Sequence, residues 1–402
     1  MTRSRTVHLM ALVLLWLSAT LSSSCADADR TSDSATVRDS AGIQIVESAS
    51  AMWEVGQEWR LSPEPTLTIG VIDGAEEYQL FRAASAVRLA TGEIVVANSG
   101  TYELRFYDSS GGFLRKVGRE GEGPGEYRLL RAVWRHGTDS LIVPDPLNRR
   151  VNVLTGDGEF VRSFSLGADL VVPLGLLSEG TFLCMMRERP AEGERPEGLV
   201  RSHMYYARYD VDGGLLDTLV RRPGDEGYYG GTENMSFSLA PPFGRRTQVT
   251  AGGDRWYYGS SDVWEIERYS ADGTLTQLIR RREPNRPITA EIAEDYKRGV
   301  RESLSEVPEP IRRAREDLSL PETMPAYKQF IVDDEDNLWV AEYTRSEEQP
   351  SWAVFDPDGR FLGTVSVPAD GVVTHIGPGF VLGIWTGEMD EDQVREYELI
   401  KP

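Results

Sequence analysis

The sequence predicts an all-β chain folded as a six-bladed β-propeller. Each blade is a four-stranded antiparallel meander, an N-terminal strand closes the ring, and one small helical insertion interrupts it. Three observations carry this reading. One class of turn recurs six times, each time before a short β-rich run. A second class, built on Asp and Gly, recurs five times. The chain ends on a strand that holds third place in a unit and has no fourth after it. An internal repeat on this scale outranks any local reading.

The first class of turn comprises Thr91-Gly92, Thr138-Asp139, Glu179-Gly180, Gly253-Asp254, Asp336-Asn337 and Gly377-Pro378-Gly379. The runs after them are EIVVAN, SLIVPD, TFLCMM, RWYYGS, NLWVAE and FVLGIW. The second class centres on Asp108 to Gly112, Gly156 to Gly158, Val211 to Gly214, Ala271 to Gly273 and Pro357 to Gly359. Asp-Gly between alternating runs marks a hairpin, because Gly accepts positive φ without steric cost. The two classes therefore join strands one and two, and strands three and four, of each unit.

The last run, Tyr397 to Ile400, has no fourth strand beyond it. Pro65-Thr-Leu-Thr-Ile-Gly70 supplies it, since TLTIG matches LRKVG at the end of the first unit. A ring closed by both termini leaves no blade without its outer strand, whereas a stacked solenoid would need capping units.

From Ile288 to about Leu320 helix rules take over. Thr289 can cap, and Ile292, Tyr296, Val300 and Leu304 fall on one stripe. Pro308 ends this helix and Pro310 opens a second, with Ile311, Ala314 and Leu318 on one side. The insertion, about 288–320, lies between the fourth and fifth blades, where its stripe is expected to pack near the channel mouth. Polar loops are expected at Pro190 to Ser202 and Arg222 to Arg246.

The N-terminus reads as a targeting segment. Arg3 and Arg5 precede the apolar run Leu9 to Leu17, which is too short for a stable bilayer span. Residues 1–24 are thus expected to be a signal peptide. The stretch L-S-S-S-C resembles the lipobox of bacterial lipoproteins, which implies lipidation at Cys25; Ser22 stands where an aliphatic residue is usual. Residues 25–40 have little apolar content and read as a flexible tether. Residues 41–402 then form the single propeller domain. Ala26 is not the Asp associated with inner-membrane retention in enteric bacteria, so that analogy favours the outer membrane.

Composition narrows the partners. The 43 Lys and Arg against 64 Asp and Glu give a net charge of -21. This repels phosphate backbones, so nucleic acid is not expected, and it suits cationic or neutral ligands. The one cysteine besides Cys25 is Cys184, in the apolar run Thr181 to Met186. It reads as a small core residue.

The segment Gly118-Arg-Glu-Gly-Glu-Gly-Pro-Gly-Glu-Tyr127 precedes a strand ending in D-x-x-N-x-R-V. It resembles the NHL repeat of β-propellers, with Asp145, Asn148, Arg150 and Val151 on the pattern. The opening Val37 to Glu47 and the GEGPGE loop together resemble a large group of bacterial six-bladed β-propeller lipoproteins. That resemblance implies a fold and a location but little chemistry. Asp145 is expected to accept turn N–H groups, and Arg150 to cross to a neighbouring blade, as a structural trio with Asn148.

No motif assigns a reaction. His136, His203 and His375 are far apart and show no metal-ligand spacing. Asp210 with Asp212, and Asp356 with Asp358, begin like calcium loops but lack the downstream Glu, and hairpin turns require the same residues. Asp333 to Asp336 read as a solvated edge. Glu342 and Asn98 follow second strands and are the candidates to face a channel as metal ligands. The Gly-rich run lacks the Lys-Ser/Thr of a phosphate cradle. The expectation is a lipid-anchored binding or protein-interaction module at the cell envelope, with no cofactor and no metal. Its partner would be a protein, a glycan or a small molecule. The alternative is a metal-dependent hydrolase or lyase with its site at the central channel.

Overall fold

Blade 1 sets the pattern of the ring. The computed structural model describes residues 34–402 except 138–139, 168–170, 178–179, 189–195, 233–234, 304–306 and 347. The signal segment, Cys25 and Leu304 lie outside the described residues. The N-terminal segment holds β1 (Ala35–Ser40), β2 (Ile43–Ser48), β3 (Arg60–Leu61) and β4 (Leu67–Ile69). Blade 1 is β5 (Ala83–Arg88), β6 (Ile94–Asn98), β7 (Glu103–Tyr107) and β8 (Phe113–Val117). Blade 2 is β9 (Trp134–His136), β10 (Ser140–Asp145), β11 (Arg150–Thr155) and β12 (Phe160–Ser165). Blade 3 has five strands, β13 (Val171–Leu176), β14 (Phe182–Arg187), β15 (Gly198–Tyr209), β16 (Leu215–Thr232) and β17 (Met235–Leu239).

Blade 4 is β18 (Gln248–Gly252), β19 (Arg255–Gly259), β20 (Glu265–Ser270) and β21 (Leu275–Arg281). Helices α1 (Ala290–Ser303) and α2 (Glu309–Asp317) follow it. Blade 5 is β22 (Tyr327–Val332), β23 (Leu338–Glu342), β24 (Ser351–Phe355) and β25 (Phe361–Ser366). Blade 6 is β26 (Gly371–Gly377), β27 (Phe380–Thr386) and β28 (Asp392–Ile400), completed by β4. Val394, Arg395 and Glu396 of β28 pair with Ile69, Thr68 and Leu67. The N-terminal closing strand is therefore where its sequence places it.

The core lies between blades. Each seam holds one hydrophobic cluster, from Phe106 with Leu141 between blades 1 and 2 to Leu382 and Val394 with Val96 between blades 6 and 1. The last of these joins the two ends of the chain and closes the ring. The strand runs are apolar on both faces because each blade is covered on both sides by its neighbours.

The Asp turns work by one local mechanism. Asp108 accepts from the N–H groups of Ser110 and Gly112, Asp210 from Asp212 and Gly214, and Asp356 from Asp358 and Arg360, at 2.8–3.0 Å. The carboxylate satisfies donors that a tight hairpin would otherwise leave unpaired. This accounts for the calcium-like spacing at Asp210 and Asp356.

Two expectations are corrected. Residues 35–40, read as tether, form β1, which pairs with β2 along its whole length, and β2 runs parallel to β21. From there the chain binds the outside of blade 5, where Met52 and Trp53 donate to carbonyls of Phe361 and Leu362. The ring of Trp53 fills the space above Gly363, where a Cβ would lie 2.2 Å from it. The N-terminal segment is thus a belt over blades 4, 5 and 6. Backbone pairing and an outer-edge position explain β1, whose second half, Arg38 to Ser40, is exposed. The second correction concerns blade 3. Leu199 to Ser202 and Arg222 to Thr232, read as loops, belong to β15 and β16, which extend beyond the blade. Tyr228 stacks across the strands on Phe237, which supports a glycine-rich stretch that lacks side-chain packing of its own.

The insertion stands on a two-stranded neck. Ile288 donates to Glu322 and Met324 to Arg286, at 2.9 and 2.8 Å. The Thr289 hydroxyl accepts from the Ile292 N–H at 3.3 Å, the cap its sequence predicts. Above the neck, only Val300 and Ala314 are buried among the described residues of the two helices.

Candidate functional site

Every meander strand has one end on each face of the ring. The Asp-Gly turns gather on one face, and the second-to-third turns, the connections between blades and the insertion gather on the other. The two ends of the channel are built differently.

At the turn end the channel is bridged. Arg135 of blade 2 is ion-paired with Asp334, on the first turn of blade 5. Blades 2 and 5 are opposite in a six-membered ring, so this pair spans it. His375 of blade 6 joins through Nε2, 3.2 Å from Asp334. Its Nδ1 accepts from the Arg88 N–H at 3.1 Å, so the ring proton is on Nε2 and donates to the carboxylate. Burial opposes the charge of Asp334, but His375 and Arg135 outweigh it and hold the carboxyl below its usual range. Asp333 beside it is buried and accepts from Glu335, Asn337 and the Trp339 indole. The acidic run is therefore not a solvated edge: the ring's core and channel take two of its carboxylates.

At the insertion end a cavity of about 250 Å³ opens between blades 4 and 5. Phe243, Arg246, Lys328 and Tyr343 line it, with Pro241 and Pro325. Phe243 lies on the connection from blade 3 to blade 4, at φ 51°. Such a left-handed backbone costs a non-glycine residue roughly 1 kcal/mol or more, and cost of this kind collects at ligand sites. The Phe243 ring is 6.3 Å from Tyr343 and 6.0 Å from Tyr296 of α1. The insertion thus frames this cavity, and Arg345 approaches Asp295 of α1 at 3.7 Å. Lys328 is open to solvent yet desolvated by the walls around it, which lowers its pKa. Its ammonium donates to the Thr344 hydroxyl at 3.1 Å. Burial raises the Tyr343 pKa, and the nearby Arg246 charge opposes the rise. The arrangement is an aromatic wall facing two cations. It would receive an anionic or hydrogen-bond-accepting group beside a flat apolar surface. Net charge had suggested cationic or neutral ligands, but a total of -21 does not describe a local patch.

The trio from the repeat pattern is a loop clamp. Asp145 is fully buried and accepts from the N–H groups of Arg128 and Leu129, both at 3.0 Å, and from the Asn148 amide at 2.7 Å. Arg150 donates to the carbonyls of Glu122, Gly123 and Glu126, all at 2.7 Å. It grips the connection between blades 1 and 2, not the body of a neighbouring blade. Blade 1 does the same with Asn98, read from the sequence as a channel ligand, and with Arg105, which sequence reasoning passed over. Asn98 accepts from the Phe81 N–H, and Arg105 donates to carbonyls of Glu76, Glu77 and Gln79. The signal was available, since Asn98 and Asp145 both end second strands. Arg105, however, stands two residues further along its strand than Arg150 does.

The remaining candidates are dispersed. Asn98 is committed to its clamp, and Glu342 pairs with Arg281. His203 lies 3.6 Å from Glu188 on blade 3, and His136 is exposed at the turn end. Among the described residues no three His, Cys, Asp or Glu side chains gather as a metal site. Cys184 is fully buried, and burial pushes its thiol pKa up.

Comparison with known proteins bears on the fold. Residues 75–162, spanning blades 1 and 2, match the model of DUF5128, described as a 6-bladed beta-propeller. A search of the curated proteins finds no match. Among solved structures, a Bacteroides fragilis protein described as exported aligns at TM-score 0.49 and 13% identity, over 89% of this chain and all (100%) of that one. A DUF4221 family member from Bacteroides vulgatus aligns at TM-score 0.48 and 10% identity, over 86% and 99%. Virginiamycin B lyase from Staphylococcus aureus aligns at 0.41 and 10%, over 85% and 100%. The closed ring of meanders and the matching family model make this chain a six-bladed β-propeller.

Proposed function

We propose that the chain is an exported, lipid-anchored binding module of the cell envelope, whose ligand docks at the insertion end of the channel. The observation that carries this reading is the contact of Tyr296 with Phe243. It brings an insertion with little core of its own to the rim of an aromatic and cationic cavity. The bridged turn end leaves the insertion end as the side from which a ligand approaches. Export and anchoring rest on the N-terminal run and on Cys25. Several acyl chains on one residue would hold the protein firmly, at about 0.8 kcal/mol per buried CH₂. With β1 beginning at Ala35, the short stretch from Cys25 spans ~35 Å at most, which keeps the outer edge of blade 4 near the membrane.

The test has two arms. A glycan and small-molecule screen by thermal shift is run on the wild type, on Lys328→Ala and on Phe243→Ala. Ligands of this site stabilise the wild type and lose their effect in both variants. Hits that stabilise all three proteins equally place binding elsewhere and sink the reading of the cavity. In parallel, Cys25→Ala is expected to release the protein from membranes, and labelled fatty acid should enter only the wild type. A wild type found wholly in the soluble fraction removes the anchor.

A further inference from the structure

A second cleft on the insertion face, in the seam between blades 1 and 2, has a volume of about 520 Å³. Arg82, Arg128, Arg131, Ser99, Gly100 and Tyr102 line it. In a chain with 64 acidic residues against 43 basic ones, three guanidinium groups around one cleft run against the composition. We propose that this cleft binds a small ligand carrying two or more oxyanion groups, such as carboxylate, phosphate or sulfate. It is separate from the cavity at Phe243 and does not depend on that reading.

The charges are scarcely neutralised. Among the described residues, Arg82 makes no ion pair and lies 5.2 Å from the Phe81 ring, and Arg131 is exposed and makes no ion pair. Arg128 has one acidic partner, Glu122 at 3.4 Å, with both side chains more than half exposed. A pair of that kind contributes little and yields readily to a better anion. Three like charges held together repel one another, and an oxyanion that takes two N–H groups from each guanidinium relieves this.

The walls are also built to stay in place. The backbone N–H groups of Arg128 and Leu129 are fixed on the buried Asp145 carboxylate. On the other wall Asn98, also fully buried, holds the Phe81 N–H at 2.7 Å. Ser99 donates to the Arg82 carbonyl and Gly100 to that of Phe81. A Cβ on Gly100 would lie 2.2 Å from the Phe81 ring, so the turn fits closely there. Arg82 at φ 52° and Tyr102 at φ 59° both hold left-handed backbones. The two clamps of blades 1 and 2 therefore fix the backbone on either side of the cleft from which the arginines extend. A cleft whose backbone frame is already placed loses less freedom on binding.

Titration calorimetry at constant ionic strength tests this, with three probes: citrate, pyrophosphate and tri-galacturonate. The wild type should bind at least one of them saturably, one per chain, and the strongest names the source of the oxyanions. Arg131→Ala should weaken that probe by about ten-fold, the loss of one charged hydrogen-bonding partner. Arg82→Gly, which suits the left-handed backbone, should do the same, and the two together should abolish binding. Glu122→Gln frees Arg128 and should tighten it. Melting temperatures within a degree or so of wild type show that the variants are folded. Saturable binding of none of the three probes overturns the proposal, and so does equal affinity in the double variant.

Discussion

The N-terminal belt and the helical insertion both depart from the six-blade repeat, and they are held in opposite ways. The belt is bound strand by strand: β1 to β2, β2 to β21, β3 and β4 to β28. It buries Ala35, Val46 and Ile69, and it sets Trp53 against Trp59 and Trp59 against Trp339, each pair tilted. The insertion stands on a two-stranded neck, and its helices bury one residue each among those described. It approaches the blades through Tyr296 against the cavity residue Phe243, Asp295 toward Arg345 and α2 against β16. Burial on this contrast separates what completes the ring from what serves its mouth. Removing the belt should unfold the protein, and removing the insertion should not.

The largest effect is expected from the belt. Deleting residues 35–72 takes away the closing strand and opens the seam between blades 6 and 1. Stability should fall by about 5 kcal/mol or more, an amount comparable to the whole stability of many domains. Ile69→Ala is the gentler version. Ile69 is 1% exposed within that seam, and the cavity should cost about 2–5 kcal/mol. Denaturant unfolding measures both, and an unchanged midpoint for the deletion would falsify closure by the belt.

Next comes a single buried carboxylate that belongs with the belt side of the contrast. Asp145→Ala leaves the N–H groups of Arg128 and Leu129 and the Asn148 amide without their acceptor. About 2–4 kcal/mol should be lost. Asp108→Ala, at an exposed hairpin, removes a similar number of bonds but leaves the donors within reach of water, and should cost less. If the two cost the same, burial is not what distinguishes the clamp from the turn.

A smaller effect is expected at the bridged end of the channel. The folded-state carboxyl of Asp334 lies below its usual range, since His375 and Arg135 outweigh burial. A lowered folded-state pKa gives stability that is present above the unfolded value and lost as the pH falls through the folded one. The loss should therefore fall in the acid range, below the ordinary carboxylate value, with no change around neutrality from this group. Asp334→Asn should cost about 1 kcal/mol at neutral pH, as a partly exposed pair does, and should flatten the acid limb. An acid limb identical in the variant assigns that slope to other carboxylates.

The same contrast explains how far the sequence could be read. Hairpins were legible because Asp, Gly and alternating runs act within ten residues of one another. The closing strand was legible because the count of turns left one place empty. The helices were legible from a stripe and its cap, with Thr289 and Pro308 at the ends. β1 was not, because a strand on the outer edge shows its side chains to water and carries no apolar period. The extension of β16 was hidden by glycines and charges whose support comes from across the strand. Site residues were the least legible. Arg135 and Asp334 are 199 positions apart and meet only because the ring closes. Phe243, Lys328 and Tyr343 come from three separate segments, and each alone is an unremarkable loop or strand residue.

The smallest effect on stability is expected from the insertion, and it decides between the two roles left for it. Replacing Thr289 to Ser319 with a short Gly-Ser linker removes both helices and keeps the neck pair of Ile288 with Glu322 near its ends. The blades lose the Tyr296 ring against Phe243, the distant Arg345 approach and the contact of α2 with β16. None of these fills a seam of the ring, so the change should stay within about 1 kcal/mol. A rim that gates the cavity should instead alter ligand affinity and both rate constants, because Phe243 is left free to move. Tyr296→Ala isolates that contact without removing a helix and should reproduce part of the affinity change. A protein that loses several kcal/mol with the insertion, and binds as before, has a stabilising cap there; the cavity would then be framed by the blades alone.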